Sequence, residues 1–220
     1  MPHGFLEIAG TPSVKEAQRD NGSADRWSNF SGDRTFDRFR ESEKAFIAAR
    51  DSFYMATVSE TGWPYVQHRG GPPGFIRVLD DRTLAIADFR GNTQYISVGN
   101  LKAGNRVALI MVDYPAGRRL KIFAHVEIKS LDDNPALAAA VATPGYKAKP
   151  ERVLLFRLDA FDWNCPQHIT PRFTEAEIDA ALAPVRARIV QLEAENKALR
   201  EKLAAREGGE LEELKPQPPR

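Results

Sequence analysis

The sequence predicts a mainly β (α+β) protein. Its expected form is a small antiparallel barrel of six to seven short strands with short connecting helices, followed by a separate C-terminal coiled-coil helix. Three observations carry this reading. Between residues 53 and 163, short β-rich runs follow one another across turn signals, and helical patterns stay in the connections. From Thr174 the apolar residues switch to alternating steps of four and three, which is a heptad. The chain has 220 residues, 42% hydrophobic and 28% charged, enough for one sizeable domain with an appendage. The expected organisation is an N-terminal extension (1–41), a barrel domain (42–173), a coiled-coil helix (174–207) and a disordered tail (208–220).

The elements follow in order. The first forty residues are polar and mixed, with one short helix expected near Val14–Arg19. "SEKAFIAARD" reads as a helix capped by Ser42, with Phe46, Ile47 and Ala49 on its apolar side. Phe53–Ser59, Tyr65–Arg69, Phe75–Leu79 and Thr83–Asp88 read as strands, with "ETGWP" and "LDDR" as turns. "GNTQYISVGNLKAG" interrupts them with a short helix whose Ile96, Val98 and Leu101 are expected to face the sheet. "RVALIMVDY" is almost wholly apolar, as a strand buried on both faces would be. "RLKIFAHVEI" alternates into a long partner strand, "DDNPALAAAVA" is a short helix, and "RVLLFRLDAFDW" is a last strand.

In the C-terminal segment Thr174 and Glu177 have capping-box spacing. Leu182, Ile189, Asn196 and Leu203 fall at a positions; Ile178, Val185, Leu192 and Leu199 fall at d. One Asn at a, with β-branched or Leu residues around it, is the pattern of a parallel two-stranded coil. The flanking charges agree: Arg188 would face Glu193 of a second chain, Glu195 would face Arg200, and Lys202 would face Glu207. Packing of this helix on its own domain is the competing reading. Pro184 kinks the helix or marks where the coil proper starts.

Composition excludes several function classes. A net charge of +1 gives no electrostatic case for nucleic acid. No apolar run approaches a membrane span, and the first residues lack the basic start and apolar core of a signal peptide. The single cysteine, Cys165, cannot form an internal disulfide and reads as a buried thiol. The expectation is a soluble, cytoplasmic protein. No Ser/His/Asp set, P-loop, G-x-G-x-x-G or paired-cysteine metal pattern is present, and no metal is expected. His125, within an alternating strand, reads as structural; His3 lies at the terminus.

Three clusters remain. "QHRGGPPGF" (67–75) breaks the sheet with three glycines and two prolines behind a His and an Arg. It is either a corner in the barrel or a place where a ligand passes close to bare backbone, with Arg69 holding a charge. Asp88-Phe89-Arg90-Gly91-Asn92-Thr93-Gln94 leads from a strand end into a helix, where free amides and an Arg hold a phosphate, or where Asn92 simply caps. "DWNCPQHITPR" (162–172) gathers an aromatic ring, an amide, a His and an Arg, or is a packed linker to the coil. Together they outline a site for a planar, phosphorylated ligand.

On these residues the chain resembles the pyridoxamine 5′-phosphate oxidase-related, FMN-binding split-barrel family, over roughly Ala45 to Phe173. "RGGPPGF", "DFRGN" and "DWNCPQHITPR" are similar to an uncharacterised bacterial subgroup of it. The resemblance implies a split β-barrel, and a homodimer with FMN at the subunit interface. It implies Val66, Gln67, His68, Arg69, Gly70 and Gly71 along the ring, with Asp88, Phe89, Arg90, Gly91, Asn92 and Gln94 around the phosphate. Arg118 and Arg119 would come from the partner subunit, and Trp163, Asn164 and His168 would close the site. The implied activity is that of an oxidoreductase acting on a small molecule by hydride transfer through flavin N5. His68 and His168 are the acid–base candidates, because imidazole titrates near neutrality. The alternatives are a non-catalytic flavin, haem or deazaflavin binder, or a coiled-coil dimer scaffold. Two departures stand out. Thr93 and Gln94 replace the Arg-Lys pair of the family's phosphate turn. No Arg-x-His motif is present to hold pyridoxal phosphate, which argues against pyridoxamine phosphate as substrate.

Overall fold

The computed structural model describes residues 4–28 and 36–213. The chain divides into two compact units, Met1–Pro171 and Arg172–Arg220. In the first, short helices α1 (Phe5–Ala9), α2 (Pro12–Asp20), α3 (Ala24–Ser28) and α4 (Glu41–Ala48) precede the strands β1 (Ser52–Val58), β2 (Pro64–Gly70), β3 (Arg77–Val78) and β4 (Thr83–Phe89). Helix α5 (Ile96–Ala103), β5 (Arg106–Asp113), β6 (Arg118–Lys129), α6 (Pro135–Val141) and β7 (Pro150–Asn164) complete it. The second unit carries α7 (Glu175–Glu213).

The seven strands form one antiparallel sheet in the order β2-β1-β5-β6-β7-β4-β3. Its two ends, β2 and β3, do not pair, so the barrel is split. Side chains draw the ends together instead. Arg69 of β2 forms an ion pair with Asp88 of β4, across a gap that no backbone ladder closes. The inward face follows the period of two: Phe53, Met55 and Thr57 on β1, and Leu120, Ile122 and Ala124 on β6, are buried. β4 is buried on both faces, because Ala85 and Ala87 pack with Val153, Leu155 and Val141 under α6.

The expected strands and connecting helices are present, with differences that have physical causes. The N-terminal extension is part of the barrel unit. Phe5 stacks on Phe123 with ring centroids 4.5 Å apart, Phe39 joins the core, and Asp37 pairs with Arg82. The helix expected at Val14–Arg19 is longer, because Thr11 caps it at Val14 N and Pro12 occupies its first turn. Ser42 does not cap α4. Arg40 holds the N-cap position, and its amide donates to Glu43 Oε2 (3.0 Å). β5 is buried on one face only; Ala108, Ile110 and Val112 are half-buried on the other. On α5, Leu101 is buried but Ile96 is exposed, and the rest of the buried face is polar. There Asn100 Nδ2 donates to Thr57 Oγ1 (3.0 Å) and Ser97 Oγ to Gln67 Oε1 (2.6 Å).

Helix α7 starts with the expected box: Glu177 N donates to Thr174 Oγ1 (3.2 Å), and Thr174 N donates to Glu177 Oε2 (2.8 Å). It continues through Pro184 and runs to Glu213, so the first part of the expected disordered tail is helical. Residues 214–220, like His3, lie outside the described residues. Among the described residues no helix is long and apolar enough to cross a membrane.

Candidate functional site

The glycine-rich corner is explained largely by packing. Phe75 N donates to Pro72 O (2.9 Å), and Gly74 has φ +84°. A Pro-Gly pair inside such a turn is what a positive φ at its third residue requires. Gly71 has ordinary φ, but a Cβ there would lie 2.7 Å from Phe75 Cγ. The ring of Phe75 is 2% exposed and belongs to the core. The missing side chain of Gly71 therefore makes room for Phe75. At Gly70 a Cβ would meet His68 Cε1 at 3.0 Å.

Strand alternation then splits the run from Val66 to Gly71. Gln67 and Arg69 share the inward face with Met55 and Phe53, their register partners. Val66 and His68 lie on the outer face beside Ala56 and Tyr54, and the His68 ring meets Tyr54 edge-on at 5.4 Å. The inward pair opens into a hollow of about 370 Å³, including its solvent-open mouth. Gln67, Arg69, Asp88, Phe89, Asn92 and Gln94 line it, as the sequence groups them. Tyr65, Tyr95, Ser97 and Glu151 line it too and escape the sequence reading.

The turn that forms its rim is strained. Thr93 (φ +63°) and Tyr95 (φ +52°) both sit in the left-handed region, uncommon for side chains of this size. Asn92 stabilises the turn through Oδ1, which accepts from Gln94 N (3.2 Å). Asn92 therefore does not cap α5. Tyr95 holds the N-cap without a side-chain bond, so the first amides of α5 open beside Ile96, Ser97 and Val98, which line the hollow.

Charge at the hollow is largely self-compensated. Asp88 pairs with Arg69 and lies 3.5 Å from Arg152 Nη1. Glu151 accepts from Arg152 Nη2 (2.8 Å) and Tyr95 Oη (3.0 Å) and lies 3.7 Å from Arg90 Nε. Arg69, Arg90 and Arg152 against Asp88 and Glu151 leave one positive charge in excess. Arg69 Nε is buried with no hydrogen-bond partner among the described residues. These residues fit a flavin phosphate: an orphaned donor, open helix amides, the Asn92 and Gln94 amides, and a net cation. They fit it with less free charge than an Arg-Lys turn would supply.

The remaining predicted residues do not join this hollow within one chain. Arg118, Trp163 and Asn164 line a second one with Gly117 and Pro166. Trp163 packs edge-on against Phe46 at 4.8 Å and donates from Nε1 to Glu43 Oε1 (2.8 Å); Arg118 lies 4.5 Å above its ring. The Arg119 Nε is buried and unpartnered among the described residues. Gly91 is exposed on the turn. His168 is exposed with φ +64° and lines neither hollow. Cys165 is exposed, not a buried thiol, because β7 has ended before it. His125 pairs with Asp159 (2.7 Å), a structural contact.

Strand order and split edge define a split-barrel protein with a polar hollow beside α5. The chain belongs to the pyridoxamine 5′-phosphate oxidase family, whose model matches residues 39–160. Among solved structures it is similar to a Lactobacillus delbrueckii protein provisionally described as a pyridoxamine 5′-phosphate oxidase. That match has 23% identity, covers 57% of this chain and 94% of that one, and has a TM-score of 0.45. HupZ of Group A Streptococcus matches at 15% identity, over 61% and 99% of the two chains, with a TM-score of 0.44. An FMN-binding protein from Syntrophomonas wolfei matches at 16%, over 56% and 83%, with a TM-score of 0.39. Among curated proteins, none matches.

Proposed function

We propose that the barrel binds a flavin, FMN, with its phosphate at the turn Asp88–Gln94, and that it serves as an oxidoreductase on a small molecule. The observation that carries this is the hollow itself: Arg69, whose buried Nε has no partner among the described residues, the first residues of α5 and the Asn92–Gln94 rim all line it. Bound flavin supplies hydride transfer at its N5. The chain supplies the rest. The ion pair with Asp88 holds the Arg69 guanidinium at the mouth, and the Ser97 hydroxyl fixes the Gln67 amide. Asn92 holds the rim in its strained form.

The reading includes a homodimer with the cofactor at the interface. The outer face of β2-β1-β5 supports it, with Val66, Tyr54 and Val58 exposed beside half-buried Ala56, Ala108 and Ile110. A second chain would bring Arg118, Trp163 and Asn164, or His68 and His168, toward a site they do not reach alone. Within one chain His68 lies on the outer face of β2, and His168 lines neither hollow.

The test is titration of the purified chain with FMN and with riboflavin, followed by quenching of flavin fluorescence. Gln94→Ala and Asn92→Ala should each weaken FMN about 5- to 20-fold, near 1–2 kcal/mol, and riboflavin less. Failure of both flavins to bind would end the proposal. Equal losses for both would move the phosphate away from this turn.

A further inference from the structure

From Glu175 to Arg206 no residue of α7 is buried. Its seven apolar a and d side chains are 41–64% exposed, in one stripe from Ile178 to Leu203. A helix with such a stripe and charge elsewhere is stable only when the stripe is covered. We infer that the cover is the same stripe of a second copy of this chain, in a parallel two-stranded coiled coil.

The flanking charges fit a second copy of this helix, and the one polar core residue selects its direction. In a parallel pair, each g position faces the following e position of the other helix. Arg188 meets Glu193 and Glu195 meets Arg200, both opposite in sign. In an antiparallel pair g faces g and e faces e. In the register that overlaps the two stripes fully, Leu182 meets Leu199 and Ile189 meets Leu192, and the flanking charges are opposite here too, Arg186 with Glu193 and Arg188 with Glu195. What separates the two directions is Asn196: the antiparallel register sets it against Val185, leaving a core amide without a partner, and in the parallel pair Asn196 meets Asn196. Within one helix Glu195 accepts from Gln191 Nε2 (2.8 Å) and lies 3.8 Å from Arg188, exposed contacts that leave it accessible to a second chain. Pro184 takes a c position, which points outward, so it does not interrupt the seam.

The coil does not depend on what the barrel binds. It has a consequence for the barrel all the same: tethering two copies makes barrel pairing an intramolecular event and raises its effective concentration.

The experiment uses the full chain with Cys165→Ser, because Cys165 is exposed and would react. Leu199→Cys, at d, is compared with Lys197→Cys, at the outward b position, under mild oxidation at low micromolar concentration. Two d-position Cα atoms of a parallel pair lie within disulfide reach. Leu199→Cys should form a covalent dimer at least tenfold faster than Lys197→Cys. Sedimentation of the unmodified chain should give twice 24.5 kDa. Equal rates for the two variants, or a mass of one, three or four chains, would overturn the inference. Cross-linking of a mixture of Leu182→Cys and Leu199→Cys chains, without self-linking of Leu199→Cys, would show the antiparallel pair instead.

Discussion

Replacing Arg69 by Met removes the ion pair with Asp88 that ties β2 to β4 across the split. The pair is largely withdrawn from water, with side chains 12% and 6% exposed. Breaking a buried pair on one side typically costs about 3–5 kcal/mol, because the remaining charge stays desolvated. Here Asp88 keeps Arg152 at 3.5 Å, so the cost falls to ~2–3 kcal/mol. For a unit of this size that lowers the melting temperature by about 5–10 °C. Asp88→Asn in the same background removes the stranded charge, so Arg69→Met/Asp88→Asn should be more stable than Arg69→Met alone by roughly 1–2 kcal/mol. Urea unfolding of the four proteins of the cycle measures both quantities. A single variant within about 0.5 kcal/mol of the parent, or strictly additive effects, would refute the idea that this pair closes the barrel.

Three further outcomes are expected. Gly71→Ala pushes a methyl into the Phe75 ring and should cost about 1–3 kcal/mol; Phe75→Leu should lessen that penalty, and an unchanged penalty would show that the corner tolerates a side chain. Asn100→Ala leaves the buried Thr57 hydroxyl without its partner and should cost about 1–3 kcal/mol in chemical unfolding; a neutral effect would remove α5 from the elements that hold β1. Thr93→Arg restores one cation to the turn, and Arg bears a positive φ no worse than β-branched Thr. It should tighten FMN about tenfold in a fluorescence titration without changing riboflavin, and an equal gain for both would place the phosphate elsewhere.

Much of the fold is legible because it rests on periods. Alternation in "RLKIFAHVEI" and the four–three spacing after Thr174 each place an element before any contact is known. What is missed rests on partners distant in sequence. The need for glycine at position 71 depends on where the Phe75 ring lands. The outer face of β5 is left half-covered in a single chain, so an almost wholly apolar run does not imply burial on both sides. Glu151 and Arg152 enter the site only because β7 pairs antiparallel with β4, which sets Arg152 opposite Asp88. Alternation alone could have separated Gln67 and Arg69 from Val66 and His68. The family resemblance treats them as one run, and it gives no sign that Trp163 packs on Phe46 and bonds Glu43. The polar face of α5 gives a weaker signal: Ser97 and Asn100 are three apart and turn together toward β2 and β1.

The central claim is that the mouth of this barrel holds a flavin, and the most direct test is the visible spectrum of the freshly purified chain. The account predicts the two-banded absorption of an oxidised flavin, FMN in the supernatant after heat release, and bleaching on reduction. A colourless protein that also fails to change the spectrum or fluorescence of added FMN would contradict it.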